Sequence, residues 1–158
     1  MMAQFSILFV CLGNICRSPT AEAVFRQRAL QYPQLDLHID SAGTGDWHHG
    51  DSPDKRSQSI GASRGYPMSD LRARQVRLQD FEQFDYIFAM DRSNLSHLEA
   101  MAPSNFRGEL ALLLEGANAD VEEVPDPYYT RGDQGFHQVI DLIEEASERI
   151  LDRLAKAS

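Results

Sequence analysis

Apolar residues in this chain fall into two patterns: short continuous runs of four or five, and longer stretches where they recur every three or four positions. Ser6 to Val10 (SILFV) is a run of the first kind and predicts a buried strand. A polar turn follows, then a helix from about Pro19 to Gln31. Ser18 suits its N-cap, and Pro19 suits its first position, where a missing N–H costs nothing. Ala21, Val24, Phe25 and Ala29 form an apolar stripe on it. A second strand is expected at Leu37 to Ser41. After a loop carrying Trp47, a helix begins near Pro53, capped by Ser52 and stopped by Gly65. Tyr86 to Met90 (YIFAM) predicts a third strand, and Asp91 opens a helix whose Leu95, Leu98 and Met101 lie along one side before Pro103 ends it. Leu110 to Leu114 is the fourth strand candidate. The last helix, about Gln134 to Lys156, is the most strongly periodic: Phe136, Val139, Ile140, Ile143, Ser147, Ile150 and Leu154 share a face, with Glu144, Glu145 and Glu148 on an outer, solvated side.

Strands alternating with helices imply an α/β fold, a four-stranded parallel sheet flanked by helices on both faces, in which ligands bind beyond the carboxyl ends of the strands. With 158 residues, 42% of them hydrophobic, and no internal repeat, the chain reads as a single domain spanning 1–158. Its net charge of -9 argues against a nucleic-acid partner, which would require cationic patches, and favours a monomer. No apolar run approaches the roughly 20 residues needed to cross a bilayer, and the start lacks a signal peptide's pattern, so no membrane association and a cytoplasmic location are expected. In a reducing compartment the two cysteines, Cys11 and Cys16, are more often catalytic, metal-binding or simply buried than bridged.

The turn after the first strand reads Cys11-Leu12-Gly13-Asn14-Ile15-Cys16-Arg17-Ser18, the pattern C-x5-R-S. Five intervening residues can wrap into a loop whose backbone N–H groups converge on one point, and the following helix adds its own free N–H groups and positive dipole end. The result is an anion cradle. Gly13 allows close backbone approach, and Asn14 tolerates the left-handed conformation such a loop needs. The planar guanidinium of Arg17 can grip two phosphoryl oxygens at once. The donors that bind an oxyanion also stabilise a thiolate on Cys11, which could attack phosphorus in line to form a phosphocysteine. A cysteine at a strand end is usually a small buried hydrophobe, but Arg17 and the strand-turn-helix context make that the weaker reading. A metal site from Cys11, Cys16, His48 and His49 has the wrong spacing, and the turn lacks the Gly-Lys pair of a nucleotide-binding loop. No metal or cofactor is expected.

The stretch VCLGNICRSPTAEAVF (Val10 to Phe25), with DSAGTGDWHHG (Asp40 to Gly50), ARQ (Ala73 to Gln75), FDYIFAMDRSN (Phe84 to Asn94) and DPYY (Asp126 to Tyr129), resembles the low-molecular-weight protein tyrosine phosphatases over nearly the whole chain. The resemblance implies that Cys11 is the nucleophile, Arg17 the transition-state clamp, and Asp126 the general acid and then base. Taken alone, Pro125-Asp126-Pro127 could be a plain surface turn. It also implies that Leu12 to Cys16 and Ser18 hold the phosphoryl group, with Trp47, Tyr128 and Tyr129 as aromatic walls, and that Asn14, Ser18, Ser41 and Asp91 support the cradle. Where many members carry a histidine before the ARQ segment, this chain has Leu71. The expected partners are tyrosine-phosphorylated proteins or peptides, with inorganic phosphate as product and inhibitor. Arg64, Arg72, Arg74 and Arg77 could favour acidic phosphopeptides or simply be solvated.

Two rivals carry less weight. A thioredoxin-coupled arsenate reductase shares the fold and the turn but needs a further pair of cysteines, and only Cys16 remains. A phosphotyrosine-binding module needs neither a nucleophile nor an acid. Cys16 has two readings of its own, a small residue filling the loop interior or a second thiol able to trap an oxidised Cys11 as a disulfide.

Overall fold

Four strands, β1 (Ala3–Cys11), β2 (Leu35–Gly43), β3 (Tyr86–Ala89) and β4 (Glu109–Leu112), pair in parallel in the order β2-β1-β3-β4. The computed structural model describes residues 3–115, 121–127 and 132–157. Strand order reverses at β1, which has β2 on one side and β3 on the other, so the carboxyl end of β1 opens at the switch point of the sheet. Cys11 is the last residue of that strand.

Side chains of β1 alternate between two cores. Ile7, Phe9 and Cys11 face a large apolar cluster shared with α1 (Arg17–Ala29), α2 (Lys55–Ser63) and α5 (Gln134–Ala157). Leu8 and Val10 face a smaller one with Phe81 of α3 (Asp80–Gln83) and Leu98 of α4 (Arg92–Met101). A strand buried on both faces is why SILFV is continuous rather than alternating in polarity.

Three local expectations change. Ser18 does not cap α1; the helix starts at Arg17 after Cys16, with no side-chain cap, because the Ser18 hydroxyl is turned onto Cys11. Instead of a single apolar stripe, Arg17 to Phe25 is buried all round, since this end of α1 lies beneath the loop and between sheet and α5. Asp54, not Ser52, caps α2: its carboxylate accepts from the Arg56 and Ser57 N–H groups. Gly65, at φ 91, ends that helix as expected. The short α3 had no sequence signal of its own.

On α5, every residue of the predicted apolar face is buried, joined by Ala146 and Leu151. Its outer side is less simple. Glu145 and Glu148 are exposed, but Glu144 accepts from Arg28 of α1 and from Arg64 and Tyr66 beyond α2, tying three segments together. Tyr32, after α1, donates to Asp152 of the same helix at 2.5 Å.

These phenols must stay protonated to donate. The bond to Asp152 and then burial push Tyr32 up to about 12, and burial and then Glu144 raise Tyr66. In the unfolded chain tyrosine ionises near ~10, so the unfolded state loses its protons first. The stability these contacts contribute is present below that pH and is lost as pH rises toward the folded-state values. Thermal denaturation followed by circular dichroism is therefore expected to show Tm falling as pH rises from about 10 upward. Tyr66→Phe, less stable than wild type at neutral pH, should fall less steeply over the same interval.

Candidate active site

The loop between β1 and α1 curls back on the end of its own strand. Asn14 takes a left-handed conformation, φ 57, and is the one non-glycine residue with positive φ among the described residues. This turn brings the Asn14 backbone N–H to 3.3 Å from the Cys11 Sγ, and the Ser18 hydroxyl lies 3.0 Å from the same sulfur. The loop is braced from β2: Thr44 N–H donates to the Cys11 carbonyl and Gly45 N–H to the Leu12 carbonyl, at 2.9 and 3.0 Å. Gly43 allows that approach, since a Cβ there would stand 2.8 Å from the Leu12 oxygen. On the other side the Asp54 N–H holds the Ile15 carbonyl at 2.8 Å.

A cavity of about 420 Å³ opens over this turn, lined by Cys11, Leu12, Gly13, Ile15, Cys16, Arg17, Trp47, His48 and Asp126. Arg17 is 3% exposed. Its NH1 donates to Asp91 Oδ2 at 2.7 Å and to the Val124 carbonyl at 3.0 Å, and its NH2 stands 3.6 Å from Asp126 Oδ2. Burial alone would lower the pKa of this guanidinium; the Cys11, Asp91 and Asp126 charges together raise it, so it is a permanent cation. Asp91 serves twice, since its other oxygen accepts from Asn94 N–H in the capping box of α4.

The two thiols differ. Cys11 and Cys16 are both free and buried. Burial pushes Cys16 up to about 12, with Asp54, Cys11 and Asp126 adding to the rise and Ser57 partly offsetting it. Cys16 is therefore a neutral thiol at physiological pH, whereas Cys11 has donors aimed at its sulfur.

The expected residues thus converge, with two adjustments. Asn14, Ser18 and Ser41 do not line the cavity: their side chains form a buried hydrogen-bonded network behind it, in which the Asn14 amide donates to Ser18 Oγ at 2.8 Å and Ser41 Oγ at 3.0 Å. Trp47 lines the rim and is 70% exposed, its ring lying against Gly45. Tyr128 and Tyr129 lie outside the described residues. Among the described residues no group of three or more His, Cys, Asp and Glu side chains gathers as a metal site, and no helix is long and apolar enough to cross a membrane.

Several contributors escaped sequence reasoning. His48 packs beside Gly13 at the rim, its Nδ1 3.2 Å from Asp51. Glu22 accepts from Ser41 at 2.7 Å and is 2% exposed; burial raises its pKa while Ser41 and Arg26 oppose the rise. Val124 contributes only its carbonyl, which side-chain patterns cannot reveal. Among the arginines, Arg72 remains at the surface, Arg64 is turned onto α5, and Arg74 is held inward between Asp40 and Asp80.

A family model of low molecular weight phosphotyrosine protein phosphatases matches residues 6–158. The low molecular weight protein-tyrosine-phosphatase YfkJ of Bacillus subtilis is 42% identical over 155 residues, covering 97% of each chain. A crystal structure of protein tyrosine phosphatase from Entamoeba histolytica superposes with a TM-score of 0.90 at 41% identity, covering 97% of this chain and 98% of that one. A Drosophila structure described as an arginine phosphatase superposes with a TM-score of 0.88 at 38% identity, covering 94% and 96%. Over its full fold and through the loop that ends β1, the chain belongs to the low molecular weight phosphotyrosine protein phosphatase family.

Proposed function

We propose that this enzyme hydrolyses phosphotyrosine in proteins and peptides, and small aryl phosphates, through a phosphocysteine on Cys11. One observation carries the reading: a sulfur that receives a backbone N–H and faces a hydroxyl lies in the same cavity as a buried arginine and a carboxylate 3.6 Å from that arginine.

In the first step the Cys11 thiolate attacks phosphorus, the phosphorus–tyrosyl oxygen bond breaks, and Asp126 gives its proton to the departing oxygen. Loop N–H groups and Arg17 take up charge on the equatorial oxygens. In the second step water attacks the phosphocysteine, Asp126 accepts the water proton, and the sulfur–phosphorus bond breaks to release inorganic phosphate, which competes for the same cradle. Arg17 can serve because its NH1 is occupied by Asp91 and Val124, so the fork is oriented before substrate arrives. Trp47 and Leu12, both exposed at the rim, offer an apolar slot to an aromatic leaving group. Tyr128 and Tyr129 are expected to add to it. The protein is expected to act as a monomer in the reducing cytoplasm, which suits two free thiols, one of them the nucleophile.

Cys11→Ser is expected to abolish release of phosphate from an aryl phosphate while vanadate binding stays measurable by calorimetry, because the loop N–H groups remain. Turnover above a trace would remove Cys11 from the mechanism. Arg17→Lys should be severely impaired as well, since a point charge cannot replace the fork.

Asp126→Asn is expected to slow hydrolysis of phenyl phosphate by about 10²–10⁴-fold. It should slow esters with good leaving groups much less. A variant as fast as wild type on phenyl phosphate would assign the acid elsewhere.

Gly45→Ala places a methyl group where the Trp47 ring now lies, and the ring must move. Its expected effect is a raised KM for phosphotyrosine with kcat little changed, because alanine keeps the N–H that donates to the Leu12 carbonyl. Assayed beside phosphoserine and phosphoarginine peptides, the wild type should prefer phosphotyrosine. A preference for phosphoarginine would move the substrate assignment to the chemistry named for the Drosophila relative.

A further inference from the structure

The network behind Cys11 has a direction, and one contact sets it. Asn14 Oδ1 accepts from the Arg74 backbone N–H at 3.0 Å. That group can only donate, so the amide nitrogen must face the other way, toward Ser18 Oγ and Ser41 Oγ. Each hydroxyl then accepts from Asn14 and keeps its own hydrogen to donate. Ser41 donates to Glu22, and Ser18 keeps one hydrogen, whose two acceptors are the Cys11 sulfur at 3.0 Å and the Ala42 carbonyl, at the limit of a hydrogen bond, at 3.4 Å. With the amide reversed, Ser18 would have to donate to Oδ1 and would have no hydrogen for the sulfur.

That N–H is held by a backbone bridge, in which Gly43 N–H donates to the Arg74 carbonyl and Val76 N–H to the Gly43 carbonyl, both at 2.8 Å, and by the side chain of its own residue. The Arg74 guanidinium is gripped on two sides: Nε and NH2 donate to Asp40 Oδ2 at 3.2 and 3.1 Å, while NH1 and NH2 donate to Asp80 Oδ2 and Oδ1, both at 3.0 Å. The Asp80 side chain is fully buried and also accepts from Arg77 N–H. Asp40 belongs to β2, next to Ser41 in the network, and Asp80 opens α3. Arg74 therefore ties its segment to the sheet and to a helix on either side of the donor. Leu71, earlier in the segment, only packs on the core, so the polar link to Asn14 comes from the main chain.

We propose that Arg74 is a positioning residue: clamped between Asp40 and Asp80, it holds its own backbone N–H on Asn14, and so directs the Ser18 hydrogen bond onto Cys11. The proposal rests on Cys11 as nucleophile.

Removing Arg74 alone would leave Asp80 charged and unpaired in the interior, so the main test is the double variant Arg74→Met/Asp80→Asn, with Arg74→Lys as the conservative one. Two measurements are made: kcat and KM on an aryl phosphate, and the pH profile of Cys11 alkylation by iodoacetamide, localised by mass spectrometry. The other titratable or charged groups lining the cavity (Arg17, Cys16, His48 and Asp126) are unchanged in both variants. Loss of one hydrogen bond to a charged sulfur should lower kcat about tenfold and move the alkylation profile up by about one pH unit, with Arg74→Lys between the double variant and wild type. A double variant that loses thermal stability but keeps the wild-type kcat and profile would make Arg74 a structural brace and overturn the proposal. If the double variant does not fold, Arg74→Lys decides: an intermediate shift supports the proposal, and a wild-type profile overturns it. Alkylation requires no substrate, so a wild-type protein inactive on every phosphate ester would defeat the hydrolase reading and leave this test standing.

Discussion

A negative charge at the end of a buried strand is costly unless donors are already aimed at it, because the interior offers no water to reorient around it. Cys11 is 3% exposed, and the mechanism proposed above places this one demand on its sulfur. The left-handed turn at Asn14 points a backbone N–H back at the sulfur. Gly43 has no side chain because the loop passes over it, and Ser18 gives up the role of helix cap to face the sulfur. Each of these departs from what its residue would do in isolation, and each makes sense once the anion is placed.

The positive partner is held with similar care. A guanidinium as buried as Arg17 requires acceptors, and it finds one in Asp91 and one in the Val124 carbonyl. Val124 in turn hangs by its N–H from Met90, at the end of β3, two residues before Asp126. Arg17 and the Asp126 segment are therefore referred to the same strand end, and the capping box of α4 is built on the carboxylate that holds the Arg17 guanidinium. Loosening α4 or the Val124 backbone would disturb the chemistry without touching a reacting group.

Two thiols five residues apart have different surroundings. Cys16 lies in the apolar interior near Asp54 and Asp126 and keeps its proton; Cys11 lies at the focus of the loop. Relatives of similar fold are described as a tyrosine phosphatase and an arginine phosphatase, and in this chain Trp47 stands exposed at the rim of the cavity.

The succession of strands and helices apart from α3, the burial of β1 on both faces, the apolar face of α5 and the turn that follows β1 could all be read from the chain, because each depends on residues within one or two turns of one another. The left-handed Asn14 was legible for the same reason: asparagine tolerates the conformation that a loop of converging N–H groups needs. Other features join residues far apart in sequence, and no periodicity encodes them. Arg74 looked like any surface arginine until Asp40 and Asp80 closed on it, and Glu144 looked like solvated helix charge until Arg28, Arg64 and Tyr66 reached it. The capping choice of Asp54 over Ser52 and the turning of Ser18 onto Cys11 depended on which competing partner lay nearer in space. Sequence determined which groups were available for the chemistry; only the tertiary structure decided their direction, because a hydrogen bond is set by where its far partner lies.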